Sequence, residues 1–264
     1  MHPIERLRFV ARASGAPDED VVSEAAASLA NFADDPTSLV TACRRLIDRH
    51  PGNGAVWWVC ARTLLAADPA DEAWRCHAEL HADPTLDELA HALPDGARVT
   101  VVGWPDRLGA PLSRRGDLEV RVLDVDGDGP GFVRMLERLD VDAIDIPTGG
   151  LAPAVAGADL LVLDARAIGP EVALVGSGSW AAAAVARAAS VPVWLVAGRG
   201  RTMPPGLWSS LESRLGGAAT PPWGLGADRL PLELVDQVAG PSGLAPVARA
   251  LATVDVPDAP ELRR

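Results

Sequence analysis

"GADLLVLDARAIGPEVALVGSGSWAAAAVARAASVPVWLV", residues 157–196, decides how this chain is read. An apolar run ends at Asp164, and the chain then loops through "ARAIGPEVALV" to Gly176-Ser177-Gly178-Ser179. An alanine-rich helix follows, and a second apolar run, "VPVWLV" at 191–196, closes the unit. Apolar runs without alternation, joined through helices, are the pattern of parallel strands covered on both faces. The same texture extends backwards through short β-branched runs at 98–103, 119–125, 142–146 and 159–164, with helical stretches near 107–116, 130–139 and 178–190. Residues 96–264 therefore read as a Rossmann-like α/β domain. Its tail, 206–253, predicts two more short helices, with "TPPWGLG" (220–226) as a loop and "PLELVDQVAGPSGLAP" (231–246) as a helix ended by glycine.

Residues 1–95 predict a helical N-terminal domain instead. Apolar positions recur at three and four residues through Val21–Phe32, Leu39–Ile47 and Val56–Leu65, and more weakly through Ala73–Leu93. "DDPTS", with a cap at Thr37 or Asp35, "HPGNG", "ADPADE" and "ADPTLDE" separate these stretches. Trp57, Trp58 and Trp74 lie on the predicted helices and are expected in the core.

Composition narrows the function classes. Hydrophobic residues make up 48% of the 264, as in a globular chain. The formal net charge of −12 argues against a nucleic-acid footprint, which needs clustered cations, although every one of the 24 basic residues is arginine. No window approaches the roughly 18–20 apolar residues of a membrane span. "MHPIERLRFVARASG" has no continuous apolar core, so no signal peptide is expected and the expected compartment is the cytoplasm. Cys43, Cys60 and Cys76 have neither disulfide nor zinc spacing. His77 and His81 stand four apart but lack the carboxylate of a zinc-binding helix, so no metal and no cofactor are expected.

Three stretches carry candidate chemistry. With Ser177 or Ser179 as N-cap, the helix after Gly178 would aim N–H groups and a positive dipole end at the carboxyl edge of the sheet, where an anion is favoured. Gly176 and Gly178 would shape that turn; the same residues also suffice for a turn that binds nothing. Arg166, Arg199 and Arg201 are the expected cationic partners, since guanidinium suits bidentate phosphate contacts. Asp124, Asp145 and Thr148 sit at neighbouring strand ends, with Asp124 placed for a ribose hydroxyl. The second stretch, "VLDVDGDGPGF" (122–132), resembles the glycine loop of S-adenosylmethionine-dependent methyltransferases, with "AIDIP" (143–147) at the distance of their ribose-binding acid. In that family such a strand opens the sheet; here "RVTVVG" precedes it, and Asp126 and Asp128 equally suit a polar turn. The third is the loop "VVGWPDRLG" (101–109), which offers Trp104, Asp106 and Arg107.

The stretch 141–202 resembles the translation initiation factor 2B alpha/beta/delta family, related to methylthioribose-1-phosphate and ribose-1,5-bisphosphate isomerases. "VLDARAIGPEVALVGSGSWAAAAVARAASVPVWLVAGRGRT" follows the family's strand, turn, alanine-rich helix and strand. "DIPTGGLAPAVAGADLLVL", "PLELVDQVAGPSGLAP" and "HPGNGAVWWVCARTLL" are similar, more loosely, to its other segments. The resemblance implies a fold of the NagB/RpiA/CoA-transferase-like type, a homodimer, and a phosphorylated small-molecule ligand: a ribose phosphate or a nucleotide. The isomerases' catalytic cysteine has no counterpart in the 101–109 loop, and their "GAD" aspartate falls on Ala165, with Asp164 one position early. Their "NK" becomes Val175-Gly176, and "RGAP" is only echoed in "SGAP" at 14–17. Aldose–ketose conversion needs an acid and a base held together at the substrate, so the expected role is binding and regulation without isomerase activity. The alternatives are an isomerase using a displaced pair, Asp164 and Asp106, and the methyltransferase.

Overall fold

The computed structural model describes residues 18–216 and 221–263. The opening residues 1–15, His2 and the 14–17 echo lie outside them, as does Thr220 of the predicted 220–226 loop.

Five helices come first: α1 (Asp18–Leu29), α2 (Pro36–Arg49), α3 (Gly54–Leu65), α4 (Pro69–His81) and α5 (Thr85–Ala92). Their starts are set by local chemistry. Asp35 accepts the N–H groups of Thr37 and Ser38 at 3.0 and 3.2 Å, which resolves the cap of α2 in its favour. Those donors and the Ser38 hydroxyl hold its carboxyl below the usual range. Asn53 caps α3 and Asp68 caps α4. The weak periodicity over 73–93 resolves into two helices because Asp83 binds both the N–H and the hydroxyl of Thr85, at 3.0 and 2.6 Å, and breaks the run there.

The α/β half follows as β1 (Arg98–Val102), α6 (Gly109–Ser113), β2 (Glu119–Asp124), α7 (Gly129–Glu137), β3 (Asp142–Pro147), α8 (Leu151–Ala156) and β4 (Leu160–Ile168). After these come β5 (Val172–Gly176), α9 (Ser179–Ala189), β6 (Val193–Val196), α10 (Pro205–Leu215), β7 (Ala227–Pro231), β8 (Gln237–Gly240), β9 (Gly243–Pro246) and α11 (Val247–Ala250). The sheet runs β3-β2-β1-β4-β6-β8-β9, parallel from β3 through β8, with β9 antiparallel at the edge. All five predicted strands are present, and the chain order reverses between β1 and β4. In such doubly wound sheets that reversal opens a crevice at the strands' carboxyl ends.

Alternation sorts the two faces. Val99, Val101, Leu160, Val162, Trp194 and Val196 pack with α5, α6 and α7, while Leu161, Leu163, Val193 and Leu195 pack with α8 and α9. A third core joins α1–α4 to α10 and to Val256, Ala259 and Leu262. The helical layer is therefore closed by the end of the chain as well as by its beginning.

Three expectations are corrected. The 165–175 loop contains a strand: β4 runs on past the main sheet, and β5 pairs with it antiparallel, followed by β7 on β5. The single helix expected over 231–246 is not formed: Pro231 ends β7, Leu232–Leu234 make one 3-10 turn, and Gln237–Pro246 form the hairpin β8–β9, because Gly240-Pro241-Ser242-Gly243 turns the chain, with Gly243 at φ +89°. Trp57 and Trp58 are buried as expected, but Trp74 is half exposed on α4, edge-on to His77.

Candidate functional site

The carboxyl ends of β1, β2 and β4 surround a cleft of about 630 Å³, counting its open mouth, at the point where the strand order reverses. One wall is the β1–α6 loop with Trp104, Pro105 and Asp106. Asp126 and Asp128 from the β2–α7 loop form a second wall. The third comprises Asp164 and Arg166 of β4 together with Gly176, Ser177 and Ser179 at the start of α9. The fold thus gathers seven of the sequence candidates into one cleft: Trp104, Asp106, Asp164, Arg166, Gly176, Ser177 and Ser179.

Arg166 owes its position to an irregularity in β4. The register against β5 shifts between Ala165 and Ala167, and Arg166 is the residue left between them. Such bulges re-aim a side chain; here the guanidinium reaches the carbonyl of Gly226 at 3.3 Å and stays at the mouth.

Arg107 is turned inward. Its Nε donates to Asp164 Oδ1 at 3.0 Å, its Nη2 to the same oxygen, and Nη2 also reaches the carbonyls of Ala165 and Val196 at 3.1 Å each. The two side chains are 10% and 15% exposed, so this is a largely desolvated pair that ties the α6 loop to β4 and β6.

The start of α9 differs from expectation. Gly178, at φ +84°, occupies the N-cap position, and no side chain of the turn caps the helix; Ser179 is the first helical residue and is buried. A Cβ on Gly178 would lie 2.6 Å from Val125 Cγ2, so glycine is needed there for both its conformation and its close approach. The capping role passes to Asp228 of β7, which accepts the N–H of Trp180 at 2.9 Å. That carboxylate sits where the helix dipole favours negative charge. It had no local signal, because it arrives through the β5–β7 pairing.

The remaining candidates are placed elsewhere or otherwise engaged. Asp124 accepts the N–H groups of Gly127 and Gly129 at 2.8 and 3.2 Å, and its carbonyl accepts the Thr148 hydroxyl at 2.8 Å. Asp145 lies beside the same turn; burial and the charge of Asp124 push its carboxyl up. The glycines of "DGDGPG" have structural reasons: Gly129 packs on Asp124, Gly131 under the Trp104 ring. This loop follows β2, two strands from β4 at the sheet's centre. Arg201 is buried, with Nη1 reaching Asn53 Oδ1 and the carbonyl of Arg166 at 3.4 and 3.2 Å, which joins α3 to the end of β4. Arg199 lies away from this cleft, between two others: one on the β6–β8 side and one shared with Arg62, Glu79 and Asp255. Among the described residues no three His, Cys, Asp or Glu side chains group as metal ligands, and no helix is long and apolar enough to cross a membrane.

No family model matches the chain, and no curated protein matches its sequence. Solved structures do. Translation initiation factor eIF-2B of Pyrococcus horikoshii OT3 superposes with a TM-score of 0.78 at 11% identity, over 94% of this chain and 98% of that one. The tetrameric eIF2B-beta2-delta2 complex of C. thermophilum gives 0.69 at 17%, over 92% and 90%. Subunit delta of eIF-2B from A. fulgidus gives 0.60 at 14%, over 96% and 92%. At these identities the likeness is one of fold: this chain has the fold of the initiation factor 2B subunits.

Proposed function

We propose that this chain is a non-catalytic, regulatory protein of the initiation factor 2B type that binds a phosphorylated ribose or a nucleotide in the cleft above β1 and β4, and that it works in the cytoplasm as a homodimer. The observation that carries the reading is the division of labour inside the cleft. Arg166 and the start of α9 offer a phosphate its cation and its polar wall, while Asp106, Asp126 and Asp128 face them as acceptors for sugar hydroxyls. The half-exposed ring of Trp104 lies at the same rim. The proton-transfer machinery of an isomerase finds less support, because the carboxylate of Asp164 is held by Arg107 and not free to swing toward a substrate carbon. Self-association is supported by a relative in fold that was solved as a tetrameric complex.

Thermal unfolding with ribose 5-phosphate and with AMP tests the reading. A ligand at about a hundred times its Kd adds about 2.7 kcal/mol to stability, a shift that Arg166→Gln is expected to abolish. No shift with either compound refutes ligand binding. Conversion of a ribose phosphate to its ketose, lost in Asp164→Asn, refutes the non-catalytic assignment.

A further inference from the structure

A second cleft opens on the other side of the sheet's centre, between the carboxyl end of β6, the β8–β9 hairpin and the segment 249–255, with about 1390 Å³ of space counting its mouth. Arg199 lines one wall. The turn that carries it is fixed from outside: Asp83 accepts the N–H of Arg199 at 2.7 Å, and Asp255 accepts that of Gly200 at 3.1 Å. Gly200 itself stands at φ +74° against the Trp58 ring, so the turn has little freedom to move. The guanidinium so presented feels the charges of Glu79 and Asp255, with which it also borders an adjoining cleft, but makes no close ion pair among the described residues, and its Nε is buried without a hydrogen-bond partner. A buried donor left unmade is costly, and a guanidinium normally finds an oxygen. Arg249 of α11 lines the same cleft, exposed and likewise without an ion pair among the described residues, while Ser242 and Thr253 add hydroxyls.

We propose that this cleft is a second anion-binding site, separate from the one above β1 and β4, built on Arg199 and Arg249 and suited to a phosphate monoester that carries a hydroxyl. Two guanidinium groups match a dianion and can each engage two of its oxygens. Asp255, on the same wall, supplies an acceptor for the hydroxyl and would oppose an anion that had none. The proposal does not depend on the reading of the first cleft, since none of the residues lining this cavity lines that one.

Isothermal titration with glycerol 3-phosphate at low ionic strength tests it in the wild type, Arg249→Gln, Arg199→Met and Arg166→Gln. Binding is expected in the wild type and in Arg166→Gln alike, and about tenfold weaker in Arg249→Gln, where one charge-assisted contact is lost. Arg249 is exposed, so that variant folds even if Arg199→Met does not. No binding by the wild type up to about 10 mM overturns the proposal. So does full retention of affinity in Arg249→Gln, or its complete loss in Arg166→Gln.

Discussion

Replacing Arg107 with methionine tests how the first cleft is held together. The side chains of Arg107 and Asp164 are 10% and 15% exposed, so the carboxylate left behind would be largely desolvated and without its cation. Removing one partner of a fully buried pair costs about 3–5 kcal/mol; the slight access to water here places the loss near 3. The carbonyls of Ala165 and Val196 also lose a donor, which adds up to about 1 kcal/mol where water fails to reach them. With an unfolding entropy of about 2.1 cal/mol/K per residue over a chain of this size, 3 kcal/mol lowers Tm by about 5 °C. Urea and thermal unfolding followed by circular dichroism read both quantities. The decisive comparison is the double variant Arg107→Met with Asp164→Asn. If the cost lies in an orphaned charge, neutralising that charge restores about 2 kcal/mol of what the first substitution took. A single variant that loses less than about 1 kcal/mol, or a second substitution that deepens the loss, would refute a desolvated clamp and return Arg107 to the solvent-facing wall of the cleft.

Other perturbations have equally definite outcomes. Asp228→Ala removes the only cap named for α9, costs about 1 kcal/mol in urea unfolding, and frees that helix start for an anion, so AMP is expected to bind the variant more tightly; weaker binding would show that Asp228 supports the ligand. Gly178→Ala must force a side chain into φ +84° and against Val125, and a loss of about 2 kcal/mol or more is expected; a neutral result would mean the turn is not as tight as described. All three cysteines are buried, and burial, opposed by Arg62 and aided by Glu72 and Glu79, pushes the Cys76 thiol up to about 12. None should react with a thiol reagent at pH 8 until the chain is unfolded, and a fast-reacting thiol in the native protein would contradict the packing of α2, α3 and α4.

The sequence made the parallel layer legible because its inner strands β1, β4 and β6 are largely buried and read as β-branched or apolar runs, while β2 and the exposed edge strand β3 keep enough Val and Ile to be read beside them. It hid β5, β7 and the β8–β9 hairpin for the opposite reason. Those strands are short and set off by Gly-Pro or Pro-Ser-Gly turns; β5, β7 and β9 exist only through antiparallel partners that no local pattern announces, and β8, though parallel to β6, is only four residues long. Leu232, Leu234, Val235 and Val238 happen to fall near helical spacing, yet Pro231, Pro241 and Pro246 bound a segment too short to run as one helix. The candidate site was legible to the same depth. Asp164 and Arg166 were found because they close a buried apolar run, and Ser177–Ser179 because they precede the alanine-rich helix, not because the strand before them was seen. Arg199 and Arg201 also follow a strand, but the direction each side chain takes after β6 depends on a turn fixed by Asp83, Asp255 and Trp58, all distant in sequence.

The strand ends share one further property that bears on both clefts. Six backbone N–H groups of the loops at this edge are taken by aspartates of the chain. Asp124 binds those of Gly127 and Gly129, Asp128 that of Trp104, Asp228 that of Trp180, Asp83 that of Arg199 and Asp255 that of Gly200. In many nucleotide-binding folds such groups are left for the phosphate itself. Here the loops are held without a ligand, and part of the chain's negative charge is invested where an incoming anion would otherwise dock. An anionic ligand must then be held by side chains, Arg166 in one cleft and Arg199 with Arg249 in the other, against a surrounding field of like charge. Binding of that kind rests on exposed cations more than on buried dipoles, so raising the ionic strength screens both its attraction and its repulsion. Of the aspartates that hold loop N–H groups, Asp83, Asp124 and Asp228 line neither cleft while Arg166, Arg199 and Arg249 do, so added salt is expected to weaken binding.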